Sequence, residues 1–396
     1  MFSRLITFLF CFIPFTLLSQ PLPQGPRLKE LADKAGILLG VRTLMQDSAY
    51  NAMVEREFNT ATTTWYPRWS SEGGTTYDGF NVGVNWLEAR KMHPLCHLLF
   101  GPDQYEKAHI IALTNGSDLD TAMENRIKGI MQSNGNGTKV NVWNIVNEAF
   151  QWSSDSGIYW PQTGTEALVW DKLGWEADQS GLTGMDKVNT MHPTFIHKAF
   201  VLARKYTSAK LELRDNTIEF SSKKSRAFYQ LVKHLKNSGT PLDVVGMQCH
   251  LGFGFDSAQL AAEIRKYKAL GLEVTFTEVD MGRGSQEWNS TTADLQKVAY
   301  RKLITIALNE GVSQVHFWGL RDDDETWLGG QNPLLFNHDS SPKPAYYGVQ
   351  EALIAFNAKP VHIVKRNPIK NHIRFRARNR GMESLSLDGR WRHFFP

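Results

Sequence analysis

The chain has 396 residues, of which 42% are hydrophobic and 21% charged, with a formal net charge of +4 at pH 7. That composition excludes a disordered or collagen-like chain and allows a sizeable core, while the length suits either two average domains or one large α/β barrel. The charge is uneven: residues 358–396 hold ten Lys/Arg and two Asp/Glu, a balance of +8, which leaves a mildly acidic body of −4 over residues 1–357.

Residues 1–19, MFSRLITFLFCFIPFTLLS, join an early Arg4 to a short apolar stretch with a small residue at its end, the pattern of a secretory signal peptide. The mature chain is expected to start near Gln20 and to be secreted, whether extracellular or periplasmic. A membrane anchor is the alternative, but the apolar run is short and broken by Pro14, and Phe10 before Cys11 is too large for a lipoprotein cleavage site. No other segment is long and apolar enough to span a bilayer. Once Cys11 leaves with the signal, Cys96 and Cys249 remain; they fall on predicted strands three and six, on distant sides of a barrel, so two free thiols are expected.

After the Pro-rich junction QPLPQGPR, eight β-rich runs follow: 36–43, 57–63, 94–100, 140–149, 210–217, 244–251, 273–281 and 314–320. Between them lie segments with apolar residues at helical spacing, among them 195–206, 225–239, 257–271 and 292–311, the last three closed by Gly239, Gly271 and Gly311 where C-terminal glycines belong. Repeated strand then helix predicts parallel strands with right-handed crossovers, and eight units favour a closed (β/α)8 barrel over an open sheet. The glycine-rich nucleotide fingerprint of an open sheet is missing after the first strand.

The fourth run, VNVWNIVNEAF (140–150), reads as a buried strand yet finishes on Asn147 and Glu148. In a barrel the reactive groups sit at the C-terminal ends of strands. The polar residues predicted there are Asn59 and Thr62, His97, Asn147 and Glu148, Asp215 and Asn216, Gln248 and His250, Glu278 and Asp280, then Trp318 and Asp322. No lysine is placed to form a Schiff base, and the two best-placed histidines lack the spacing of a transition-metal site, so no metal is expected. Two carboxylates ending strands four and seven suit cleavage of a glycosidic bond, one giving a proton to the leaving oxygen and the other attacking or steadying an oxocarbenium-like centre. A retaining pair stands about 5–5.5 Å apart. Asn147 and Gln248 can hydrogen-bond sugar hydroxyls, His250 can orient a nucleophile, and Trp318 and Trp327 offer indole faces for pyranose rings.

These motifs resemble those of glycoside hydrolase family 10, the retaining endo-β-1,4-xylanases. The family's W-D-V-V-N-E reads WNIVNE at 143–148, T-E-L-D reads TEVD at 277–280, Q-S-H reads QCH at 248–250, and W-G-x-x-D with its following Trp reads WGLRDDDETW at 318–327. PLLFNHDSSPKPAYYGV (333–349) follows the family's next segment, so the likeness runs from about residue 30 to 357 and implies a catalytic barrel over 27–357 with a basic extension at 358–396. The resemblance implies Glu148 as acid/base, Glu278 as nucleophile, Asn147 on the sugar 2-hydroxyl and His250 supporting Glu278. It also implies a polysaccharide substrate, xylan or a related β-glycan, and a monomer with no cofactor and no nucleic-acid partner.

The glycone side departs from the pattern. The strand-two signature F-N-x-x-T-P-E-N-x-M-K-W reads FNTATTTWYPRW (58–69), keeping Asn59 but placing Thr64, Trp65 and Arg68 where the family has Glu, Asn and Lys. On strand three G-H-T-L-V-W-H reads LCHLLFG (95–101): without a gap Phe100 takes the Trp position and Cys96 the histidine position, or else His97 replaces the family histidine with a shift of one. Asn144 replaces the Asp of the acid/base block, and strand five's N-D-Y reads RDN at 214–216. The pattern implies the same reaction with an altered sugar preference. The alternatives are another β-linked or decorated polysaccharide and, in a different class, a carbohydrate-binding protein that has lost catalysis. In the tail, HIRFRARN (372–379) alternates like a strand whose Arg-rich face could meet an anionic surface, or it is a solvated extension.

Overall fold

The computed structural model describes residues 22–63, 68–69, 75–102, 110, 112–160, 169–324, 327–359, 383–385 and 391–393. The predicted signal segment and the 372–379 run lie outside them. The chain divides into two units, 1–358 and 359–396; within the second, Glu383–Leu385 pairs antiparallel with Trp391–His393. Among the described residues no helix is long and apolar enough to cross a membrane.

Eight strands build the barrel of the first unit: β1 (Leu38–Thr43), β2 (Thr60–Thr63), β3 (His93–Cys96), β4 (Val142–Asn147), β5 (Lys210–Asp215), β6 (Val244–Met247), β7 (Glu273–Gly282) and β8 (Gln314–Phe317). Each pairs in parallel with the next, β6 with β7 and β8 with β1 included, so the sheet closes on itself and leaves no edge to protect. All eight predicted strands are present, and the fold is the predicted (β/α)8 barrel.

The helices wrap the outside: α1 (Leu28–Ala35), α2 (Ser48–Glu57), α3 (Asp78–Ala89), α4 (Gly116–Gln132), α5 (Thr194–Arg204), α6 (Lys223–Asn237), α7 (Ser257–Ala269), α8 (Ser290–Glu310) and α9 (Pro344–Asn357). In α6, Ser222 caps the N-terminus through Ser225, and Phe228, Leu231, Val232 and Leu235, spaced three and four apart, are wholly buried. Each such side chain contributes roughly 1.5–3 kcal/mol. At the end of α8, Gly311 takes φ +66°, a left-handed turn into β8 that a Cβ would strain.

The barrel interior is polar below the site. Gly40 on β1 lets Thr60 and His316 close the floor, since a Cβ there would stand 2.6 Å from Thr60 Cγ2 and 2.8 Å from His316 Cε1. Above them Glu212 accepts from Thr275 Oγ1 (2.6 Å) and pairs with Arg214, so buried charge supports the rim. Cys96 and Cys249 are both buried free thiols, as expected.

Candidate active site

Both strands that carry a glutamate slip in register, β4 just before Glu148 and β7 around Glu278. On β4 the register against β5 slips between Asn144 and Val146; on β7 the register against β8 slips between Phe276 and Val279. A bulge adds one residue to one strand only, which kinks it and re-aims the side chains that follow. Glu148 then turns into the left-handed region at φ +52°, an uncommon conformation for a glutamate. It is held there by its N–H donating to Arg214 O (2.8 Å), while Asn147 N–H donates to Phe100 O (2.8 Å). The strand ends in Asn-Glu because the barrel clamps this turn from β5 and from the segment after β3.

Two donors meet the Glu148 carboxyl. Gln248 Nε2 lies 2.7 Å from Oε1 and also 3.4 Å from Asn147 Oδ1, and Trp152 Nε1 lies 2.6 Å from Oε2. Gln248 and His250 flank Cys249, which has φ +61° and donates its N–H to the buried Glu219 carboxylate (2.7 Å). This twist sends Gln248 toward Glu148 and His250 toward Glu278, so one three-residue turn serves both carboxylates.

Glu278 is 4% exposed. Arg214 Nη1 stands 3.3 Å from its Oε1 and His250 Nε2 3.7 Å from its Oε2; His250 Nδ1 pairs with Asp280 Oδ2 at 2.9 Å. Burial pushes the Glu278 carboxyl up, but the His250 hydrogen bond and the charges of His97, Arg214 and His250 outweigh it and hold the pKa down to about 2. Burial also acts to strip the proton from His250, yet Asp280 and Glu278 outweigh that and keep its pKa well above the ordinary histidine value. Glu278 is thus held as an anion.

His97 lies 5% exposed beside this pair, its Nδ1 3.0 Å from Arg214 Nη1 and 3.1 Å from Asn144 Oδ1. A guanidinium only donates and an amide oxygen only accepts, so one ring tautomer satisfies one of them at a time. Burial and then the Arg214 charge hold His97 down to about 3 against the pull of Glu278, leaving a neutral ring. Trp318 packs edge to face on His97 (5.1 Å between centroids) under the Arg42 guanidinium, and Trp327, 57% exposed, stands edge-on to His250 at 4.9 Å. The structure therefore gathers Asn147, Glu148, Gln248, His250, Glu278, His97, Trp318 and Trp327 around one mouth.

Asn59 is a correction. The predicted strand from 57 puts it among the C-terminal rim residues, but α2 runs through Glu57 and β2 starts at Thr60, so Asn59 precedes the strand at its opposite end. Its amide accepts from Leu39 N–H (2.8 Å) and donates to Asp33 (2.7 Å) and Ile37 O (3.2 Å), a fully used structural brace. Phe100 is wholly buried against Trp170 and offers no face to a sugar. Asp322 is held by Lys343 (2.9 Å) and Leu334 N–H (2.8 Å) away from the carboxylate pair. The Arg68 backbone lies in a two-residue ribbon with Thr75–Thr76; Thr64, Trp65 and the Arg68 side chain lie outside the described residues. Two site residues escaped the sequence reading: Arg214, noticed only as a departure from the family pattern, and Trp152, one tryptophan among twelve.

Among the described residues one other cluster has metal-ligating residues: Asp178, His192 and His234, with ligand atoms within 4.8 Å of one another. Its nitrogens are already used. His192 Nδ1 accepts from Tyr159 and Nε2 donates to Asp178; His234 Nδ1 accepts from Gln179 N–H and Nε2 donates to Glu176. The rings stack at 4.3 Å and 28°, so their lone pairs run nearly parallel rather than converging on one ion. The cluster pins the Trp175–Ala177 and Met191–Pro193 hairpin. A hollow of about 780 Å³ between α4 and α5 belongs to the outer helix layer and not to the mouth.

Comparison with known proteins agrees with this geometry. The model of Glycosyl hydrolase family 10 matches residues 27–352. The chain is 35% identical over 187 residues to endo-1,4-beta-xylanase A of Thermoanaerobacterium saccharolyticum, covering 46% of this chain but 16% of that protein, so it spans less than a fifth of that relative's length. It is 26% identical over 350 residues to endo-1,4-beta-xylanase B of Thermotoga neapolitana, covering 83% of this chain and 92% of that one. Among solved structures, xylanase 10B from Thermotoga petrophila in complex with xylobiose is similar at TM-score 0.70 and 25% identity, over 85% of this chain and 100% of that chain. With its match over residues 27–352 and its closed barrel of eight parallel strands, the chain belongs to glycosyl hydrolase family 10.

Proposed function

We propose that this chain is a secreted endo-β-1,4-xylanase that hydrolyses xylan by double displacement with retention. The observation that carries the reading is the pair of rim carboxylates on bulged strands, one held by neutral donors and one held as an anion by cations. In the first step Glu278 attacks the anomeric carbon, and the C–O bond to the leaving sugar breaks as Glu148 delivers its proton to that oxygen. In the second, Glu148 takes a proton from water, whose oxygen displaces Glu278 from the glycosyl ester. Asn147 hydrogen-bonds the 2-hydroxyl of the attacked sugar, and Trp318 supplies an apolar face beside it. The relatives that act on xylan, and the neighbour that binds xylobiose, support the substrate class.

Export rests on residues 1–19 and is tested by N-terminal sequencing of protein recovered outside the producing cells: a start near Gln20 is expected. The mechanism is tested by proton NMR of the first-formed anomer on a β-1,4-xylo-oligosaccharide. A β-product with no hydrolysis by folded Glu278→Ala is expected; an initial α-product or an active Glu278→Ala protein ends the proposal.

A second reading keeps the chemistry and changes the polymer to another or a decorated β-glycan. It is favoured by Arg214 and Asn216 at positions where the family pattern has Asn and Tyr, together with Thr64, Trp65 and Arg68 in the strand-two signature. Sugar release over a panel of polysaccharides decides: hydrolysis of other glycans with none of xylan selects it.

A further inference from the structure

Arg214 brings a permanent charge to a position where the family pattern has an amide. Its side chain is 1% exposed and its fork is committed: Nε and Nη2 both donate to Glu212 Oε2 (3.0 and 2.6 Å), and Nη1 reaches Glu278 Oε1 (3.3 Å) and the His97 ring (3.0 Å). No surface of the guanidinium is left for a sugar. Glu212 is itself anchored by Thr275, so the fork has a fixed base from which to hold Glu278. A guanidinium is the group suited to this geometry, since its planar donors reach two carboxylates at once and it does not lose its proton.

We propose that Arg214 is a positioning residue that holds the Glu278 carboxylate in its orientation and in its charged form, extending the working range of this enzyme to lower pH than a neutral residue would. The inference rests on the proposed role of Glu278. Other charged or titratable groups facing Glu278 come from each neighbouring element: His97 after β3, Glu148 after β4, Glu212 on β5, His250 after β6 and Asp280 on β7. Of these, His250 and, once protonated, His97 also set positive charge against the carboxylate. Without Arg214, His250 is shared between Asp280 and Glu278 and cannot hold both as fully.

The test is the pH profile of kcat/KM on an aryl β-xylobioside, whose acid limb reports the essential carboxylate of the free enzyme. Arg214→Gln alone would strand Glu212 as a buried charge, so the main variant is the double Glu212→Gln/Arg214→Gln, which removes both charges. Arg214→Lys is the second variant, its single ammonium able to serve Glu212 but not both partners. For either folded variant the acid-limb midpoint is expected to rise by about one pH unit, a roughly tenfold loss of kcat/KM below the limb. Glu212→Gln alone, which leaves the guanidinium to Glu278, should keep the midpoint at or below that of the parent. A folded variant with lower kcat but an unmoved acid limb overturns the proposal, because a structural role lowers activity without shifting the titration. A 2-deoxy-2-fluoro-xylobioside inactivator separates the two failures. A label on Glu278 with an unmoved limb rejects Arg214's role alone, whereas a label elsewhere rejects the nucleophile assignment and this inference with it.

Discussion

Lys224 and Asp215 form a buried ion pair behind the Glu148 turn, and removing one partner has a calculable outcome. Nζ lies 2.7 Å from Asp215 Oδ1 with both side chains 0% exposed, and the same ammonium donates to Asn216 Oδ1 at 2.8 Å. Asp215 in turn accepts from the N–H of Phe150, two residues past Glu148. Lys224→Met leaves a buried carboxylate without its cation, a loss of roughly 3–5 kcal/mol. At about 2 °C per kcal/mol for a domain of this size, the melting temperature falls by about 6–10 °C. Asp215→Asn strands the ammonium with a similar loss, whereas Lys224→Met/Asp215→Asn leaves no charge and should lose much less than the two singles added. Urea unfolding of all four proteins at pH 7 measures the coupling, expected at about 2–4 kcal/mol. Burial raises Asp215 to about 6 even with Lys224 present. A carboxyl raised above its unfolded value favours the folded state at low pH and loses that advantage as pH rises from about 3.8 through the folded value. In Lys224→Met that value rises further, so the deficit should be largest near pH 8 and smallest near pH 4. Singles that add within about 0.5 kcal/mol, or a deficit that does not change with pH, would refute the reasoning.

Glu278 is held at about 2 against an ordinary 4.5, so its contribution to stability, on the order of 3 kcal/mol, is present above pH 4.5 and lost as pH falls through 2; Glu278→Gln should flatten that acid slope in urea midpoints. His250 works in the other direction: its raised pKa contributes fully below about 6.5 and is lost as pH climbs through the folded value, and His250→Ala should remove that alkaline slope. Glu148→Ala should cut kcat/KM on xylan by roughly 10²–10⁴ but slow an aryl glycoside with an acidic phenol far less in the first step, a difference that steady-state comparison of the two substrates reads directly. Cys96 and Cys249 should stay unreactive toward a thiol reagent until urea unfolds the barrel, since burial raises both thiols; rapid labelling of the native protein would contradict their placement.

The sequence alone determined the architecture. Eight apolar runs alternating with amphipathic segments, punctuated by glycines at helix ends, left little choice but a parallel barrel, because each strand needs a helix to cover it and a crossover to reach its neighbour. It also singled out two glutamates as candidates, since NE and TE near the ends of buried runs place carboxylates where a barrel opens. Only the tertiary structure decided what surrounds them. Asn59 is polar and near a strand, yet whether it lies at the rim or at the opposite end turns on where β2 begins, and helix α2 takes the residues through Glu57. Arg214 reads as a lone deviation until β3, β5 and β7 close around it and set one guanidinium against Glu212, Glu278 and His97. The bulges on β4 and β7 are equally invisible in one dimension. They arise from register between strands, and register belongs to pairs of segments far apart in the chain rather than to either segment alone.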